Sequence, residues 1–127
     1  MVRFLSPEWI AALAAAADEA TVPGGVSLTV QQVVTADGEG EGDVRYHLVL
    51  AEGRLQVHPG AAETADVTLV QTREVAAALN RGQLNAQQAL EAGRLKLRGD
   101  IGHLAREGRA LSAMEDVFAA VRDVTEY

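Results

Sequence analysis

The stretch from Asn85 to Asp100, N-A-Q-Q-A-L-E-A-G-R-L-K-L-R-G-D, constrains the fold more than any other part of the chain. Asn85 is placed to cap a short helix, with Gln88 three residues on at capping-box spacing. Gly93 stands where that helix needs a left-handed exit. Leu95 and Leu97 then alternate with Arg94, Lys96 and Arg98, a period of two that gives a strand one apolar and one charged face. Gly99-Asp100 ends the strand and offers Asp100 as the next helix cap.

The rest of the sequence reads in the same grammar. Ser6-Pro7-Glu8 is a helix start, with a capping hydroxyl, proline at the first helical position and an acid in the first turn. Trp9, Ile10, Leu13, Ala14 and Ala17 follow at helical spacing, and Pro23-Gly24-Gly25 stops the run. Val26, Leu28 and Val30 alternate with Ser27, Thr29 and Gln31 as a half-buried strand. Asp37 to Asp43, D-G-E-G-E-G-D, is an acidic, glycine-rich loop and the segment expected to be most mobile. It lacks the ligand spacing and terminal Glu of a calcium loop. Tyr46, Leu48 and Leu50 form the apolar face of a second strand, Leu55 and Val57 that of a third, and Glu52-Gly53 makes a two-residue turn between them. If Ala51 pairs with Arg54, then Leu50 faces Leu55, Leu48 faces Val57 and His47 faces His58, so apolar and polar partners sort together. Val67 and Leu69 give a fourth strand, and Thr72 caps a helix through Val75, Ala76 and Leu79. Ile101, Leu104, Leu111, Met114, Phe118 and Val121 form a closing amphipathic helix that Gly108 breaks or bends.

That order predicts an α+β fold, with helices covering one face of a five-stranded, mixed, mostly antiparallel sheet. Neither an internal repeat nor a linker interrupts it, so residues 1–127 are expected to form a single domain. The run 85–100 resembles the sterol carrier protein 2 (SCP-2 sterol-transfer) domain family, whose C-terminal half carries a similar helix–G-[KR]-[LI]-K-[LIV]-x-G-D–helix signature. Ala65-Asp66-Val67-Thr68-Leu69 is similar to the family's fourth-strand motif. Glu74 to Leu84 is similar to the helix that precedes a glycine stop, and Phe4-Leu5-Ser6-Pro7-Glu8-Trp9 to the opening of stand-alone bacterial members. The resemblance is closest over about residues 60 to 120. It implies a lipid-binding or lipid-transfer role and a hydrophobic tunnel between sheet and helices.

Composition limits the alternatives. A net charge of -7 opposes nucleic-acid binding and standing attachment to an anionic membrane, leaving membrane contact at most transient. No run reaches the ~18 to 20 apolar residues that span a bilayer, and no leader pattern opens the chain. With no cysteine, disulfides and thiol chemistry are excluded. The expected location is the cytoplasm.

Catalysis finds little support. The three histidines are His47, His58 and His103, and no G-x-S-x-G elbow, phosphate-binding glycine loop or H-E-x-x-H occurs. No catalytic residue, metal or cofactor is expected. His47 and His58 opposite each other are the best metal pair, but a stable site needs three or four ligands. Arg45, Arg54, Arg94, Lys96 and Arg98 are expected on the outer sheet face, either to dock an acidic partner or to oppose sheet-to-sheet association. A small enzyme whose substrate enters the interior would show itself by a polar side chain projecting inward from the sheet, and none is expected.

Function is therefore placed on the apolar inner face. Its expected lipid-binding residues are Trp9, Leu13, Leu28, Val30, Leu48, Leu50, Leu55, Val57, Leu69, Leu79, Leu84, Leu95, Leu97, Leu104, Leu111, Met114 and Phe118. The covering helices are rich in alanine, at Ala11 to Ala17, Ala76 to Ala78 and Ala119-Ala120. Small residues either let a helix pack close, giving a dense core, or leave room for a chain-like guest. The resemblance implies the guest: a fatty acid, fatty acyl-CoA or sterol-like lipid, carried without catalysis by a monomer or weak homodimer. The rival reading is an accessory module with a filled core that docks on an enzyme or on itself.

Overall fold

The computed structural model describes residues 1–20, 22, 24–35 and 43–127. The expected acidic loop lies almost wholly outside them, as does Pro23 of the first helix stop. A five-stranded sheet is built from β2 (Leu28–Thr35), β3 (Val44–Ala51), β4 (Arg54–Pro59), β5 (Val67–Thr72) and β6 (Leu95–Gly99), in the order β4-β3-β2-β5-β6. Within this sheet only β2 and β5 run parallel; the other three pairings are antiparallel. A second, two-stranded parallel ribbon joins β1 (Val2–Arg3) to β7 (Thr125–Glu126).

Local chemistry explains each boundary. Helix α1 (Pro7–Asp18) starts at Ser6, whose hydroxyl accepts from Trp9 N at 3.1 Å. Thr72 caps α2 (Arg73–Asn80), Asn85 caps α3 (Ala86–Glu91) and Asp100 caps α4 (Ile101–Arg106), each accepting a backbone N–H three residues on. The β3–β4 turn holds Glu52 and Gly53 at φ of 54° and 75°, the double left-handed geometry that matches strand twist. Its register is the one that side-chain sorting demanded: Leu50 opposite Leu55, Leu48 opposite Val57, His47 opposite His58.

Two features depart from the sequence reading. The first strand runs on from Leu28 to Thr35 instead of ending at Gln31. The terminal ribbon had no counterpart in the pattern, because two-residue strands are too short to show a period. The closing helix is broken beside Gly108, as expected, into α4 and α5 (Gly108–Ala120) on either side of Glu107, and a 3-10 turn at Arg122–Val124 follows.

Asp66 knots the sheet to the α4 corner. Its Oδ2 accepts from Thr29 N on β2 at 2.7 Å, and its main-chain oxygen accepts from Asp100 N at 2.8 Å. Gly99 pairs with Val67 at a φ of 102°, and a Cβ there would collide with the Asp66 oxygen. The Ala-Asp-Val-Thr-Leu and Arg-Gly-Asp signatures are therefore two halves of one structural lock.

The core occupies the space between the inner sheet face and the helices. Under α1 it is dense. Trp9, Leu13, Leu28, Val30, Leu48, Leu50 and Leu55 are each at most 1% exposed. All five aromatic residues form one connected cluster. Trp9 stands edge-on to Phe4 and Tyr46 and stacks over Phe118 with centroids 6.3 Å apart; Tyr127 leans on Phe4.

Candidate functional site

A cavity of about 300 Å³ opens between the β5–β6 side of the sheet, α2, the α2–α3 loop and α5. This is the low end of the roughly 300–1,000 Å³ typical of ligand pockets. Gln32, Tyr46, Leu69, Gln71 and Leu95 form its floor on the sheet. Ala76, Leu79 and Asn80 of α2 form one wall, and Met114 and Phe118 of α5 the other. Gly82, Leu84, Asn85, Ala86, Glu115 and Arg122 lie around the mouth, all of them exposed except the half-buried Leu84.

The alanine helices thus serve both purposes that small side chains allow. α1 lies close over β4, with Ala17 buried beneath it. α2 presents Ala76 to open space.

Six of the expected lipid-binding residues border the cavity: Leu69, Leu79, Leu84, Leu95, Met114 and Phe118. Trp9, Leu13, Leu28, Val30, Leu48, Leu50, Leu55 and Val57 instead fill the dense core, where they make the platform on which the cavity rests. Leu104 is buried in the same core and Leu97 packs partly buried against it. The side chain of Leu111 lies outside the described residues.

The floor corrects one expectation outright. Gln32 and Gln71 do project inward, 5% and 7% exposed, and Gln71 Nε2 donates to Gln32 Oε1 at 2.7 Å. Both continue a period of two already visible in the sequence: Leu28, Val30, Gln32 and Val67, Leu69, Gln71. Following the alternation one step past the last apolar residue finds them. On the α2 wall, Asn80 is 7% exposed; its Nδ2 donates to Ala76 O at 2.8 Å, and its Oδ1 has no partner among the described residues. Arg122 Nε donates to Asn80 O at 2.6 Å and so closes one side of the mouth. Burial of the Tyr46 phenol raises its pKa well above the usual tyrosine range, so it is neutral at physiological pH.

The outer sheet face is less uniformly basic than expected. Lys96 and Arg98 are exposed on β6, but Arg45 sits 3.8 Å from Asp43, and Arg94 precedes the strand and reaches Glu74 at 3.9 Å. His47 and His58 lie with ring centroids 5.3 Å apart. His47 Nδ1 is 2.9 Å from Gly60 O, and His58 Nε2 is 3.3 Å from Gln56 Oε1. Among the described residues, no three His, Asp or Glu side chains gather where a metal could sit, and no helix is long and apolar enough to cross a membrane.

Comparison with known proteins bears on the whole arrangement. Among solved structures, the chain is similar to a conserved Thermus thermophilus protein described as a candidate sterol carrier protein. The two share a TM-score of 0.72 and 22% identity over 98% of this chain and 91% of that one. Similarity to a crystal structure of sterol carrier protein 2 gives a TM-score of 0.69 at 22% identity, covering 91% and 96% of the two chains. The palmitated SCP2L2 of Aedes aegypti, solved in solution, gives 0.59 at 22%, covering 90% and 95%. At these identities the likeness is one of fold. No curated protein matches the sequence. The profile of the SCP-2 sterol transfer family matches residues 14–111, from inside α1 into α5. The chain belongs to the SCP-2 sterol transfer family.

Proposed function

We propose that this chain is a non-enzymatic lipid-binding or lipid-transfer protein, one domain over residues 1–127, that holds a fatty acid, fatty acyl-CoA or sterol-like lipid between sheet and helices. The observation that carries the reading is the cavity of about 300 Å³ with leucine, methionine and phenylalanine on its sides. Its place in a fold shared with a palmitated relative adds support.

The volume sets the size of the guest. At roughly 30 Å³ for each water-sized group, the space takes about ten non-hydrogen atoms. Ten methylenes leaving water contribute about 8 kcal/mol, against an association cost of at least about 4 kcal/mol. The remainder corresponds to binding no tighter than about millimolar. Chain burial alone is therefore weak here. Longer chains must protrude past Leu84 and Ala86 or push Met114 and Phe118 aside, and polar contacts must supply further affinity.

Native mass spectrometry of the purified protein tests the reading, followed by titration of delipidated protein with acyl chains. Trp9 is the reporter, since it stacks on the cavity-wall residue Phe118. A carried lipid, or saturable quenching on titration, is expected. A sample that neither carries nor takes up lipid leaves the docking-module reading in its place.

A further inference from the structure

The cavity floor carries chemistry that an alkyl chain cannot use. Each carboxamide has two N–H donors and an oxygen that accepts twice. The single Gln71–Gln32 bond satisfies a fraction of this capacity. Whichever amide is the donor, one NH₂ group and one carbonyl oxygen are left with no protein partner among the described residues. Both side chains border the cavity, and both are more than nine-tenths buried. Asn80 Oδ1, on the wall beside them, is a further buried acceptor with no partner among the described residues. The free amide groups of Gln32 and Gln71 face the cavity, whereas Asn80 Oδ1 is enclosed and unmet, at a cost of about 1–3 kcal/mol; an occupant of matching polarity satisfies them.

We propose that the cavity takes its guest polar end first, and that the end it recognises is uncharged and both donates and accepts a hydrogen bond: a hydroxyl, as in a long-chain alcohol. The inference rests on the lipid-binding reading and selects among its guests: it favours a hydroxyl-bearing lipid over a fatty acid or fatty acyl-CoA. A hydroxyl can accept from the free amide NH₂ and donate to the free amide oxygen at once. A carboxylate cannot donate, and the floor offers it no cation. The charged residues bordering the cavity, Glu115 and Arg122, are both exposed at the mouth, so an anion drawn to the floor would be buried without a counter-charge, at high cost. An ether accepts but cannot donate, and leaves the amide oxygen unmet. The leucine, methionine and phenylalanine walls then hold the first part of the chain, and the rest leaves through the mouth.

Three probes of equal chain length separate these chemistries at neutral pH: 1-decanol, decyl methyl ether and decanoate. Each is titrated by calorimetry into the delipidated wild-type protein. The alcohol is expected to bind about ten-fold tighter than either competitor, the value of one buried hydrogen bond. In a Gln32→Leu/Gln71→Leu double variant the preference should vanish while the ether still binds. Ether or decanoate binding as tightly as the alcohol to wild type overturns the proposal and leaves the lipid-binding reading standing. So does a folded double variant that keeps its preference for the alcohol. If none of the three binds, the proposal falls, and the lipid carried by the purified protein in native mass spectrometry decides the lipid-binding reading separately. The wild-type series alone decides the matter if the double variant does not fold.

Discussion

Replacing Ala76 by Leu tests whether the space beneath α2 is open. Ala76 is buried on the cavity wall, and the substitution adds three carbons facing that space. If they enter unfilled volume, they leave water at roughly 0.8 kcal/mol each, about 2.4 kcal/mol in all. Fixing the leucine rotamer costs about 0.5–1 kcal/mol. The net effect is a stabilisation of about 1–2 kcal/mol, and each kcal/mol corresponds to a rise in Tm of roughly 3–5 °C for a chain of this length. The same three carbons take room from the guest, so an acyl chain or alcohol should bind about 2.4 kcal/mol less tightly, close to 50-fold. Urea denaturation of the apo protein and calorimetric titration with 1-decanol read the two effects separately. An open space is refuted if Ala76→Leu destabilises by the roughly 1–3 kcal/mol of an overpacked core while ligand affinity stays unchanged. That pair of results would mean that the interior is filled and that ligand, if any, binds elsewhere.

Further outcomes follow from the same geometry. Met114→Trp should reduce acyl-probe uptake with circular dichroism unchanged, because Met114 borders the cavity and its flexible side chain is the one that can yield to a guest; full uptake would move the binding site off α5. Gly99→Ala should cost about 2–4 kcal/mol in urea denaturation, combining a left-handed backbone penalty with the collision against Asp66; a loss below about 1 kcal/mol, the least such strain costs, would show that the corner relaxes freely. Burial holds Tyr46 protonated in the folded state beyond the pH of about 10 at which it ionises in the unfolded chain. The unfolded state therefore sheds its proton first, and stability should fall above about pH 10 by up to about 1.4 kcal/mol per pH unit. Tyr46→Phe should flatten that slope, and an unchanged slope would assign it to another group.

The sequence revealed the fold wherever local chemistry was unambiguous. Ser6, Thr72, Asn85 and Asp100 were identifiable as caps because a side-chain acceptor preceded a helical period in each case. The β3–β4 register followed from sorting apolar side chains against apolar ones. Gly108 marked the break between α4 and α5. Legibility failed where the pattern was too short or broke its own alternation. The two-residue strands at Val2–Arg3 and Thr125–Glu126 carry no period. Before its last residue, Thr35, β2 carries Gln32, Val33 and Val34, all buried, so the polar-apolar alternation was lost there and the strand read as stopping early. The division of the interior into a filled half and an open half could not be read from composition. Alanines on α1 and α2 look alike in sequence, but Trp9 and Leu13 fill the ground under the first, while Ala76 of the second borders the cavity.

The parallel pairing of β2 with β5 has a consequence for how the chain reaches this state. It divides the sheet into two pieces, residues 28–59 and 67–99, each of which is continuous in sequence and closes by short connections or through α2 and α3. Chain entropy favours such nearby pairings first and leaves the distant one for late in folding. When the two pieces meet, a slip by one residue would turn every leucine of one piece toward water. A one-residue slip would also put Gln32 and Gln71 on opposite faces and break their bond, so that bond acts as a tooth of the ratchet that keeps both amides, and with them both leucine sets, turned inward.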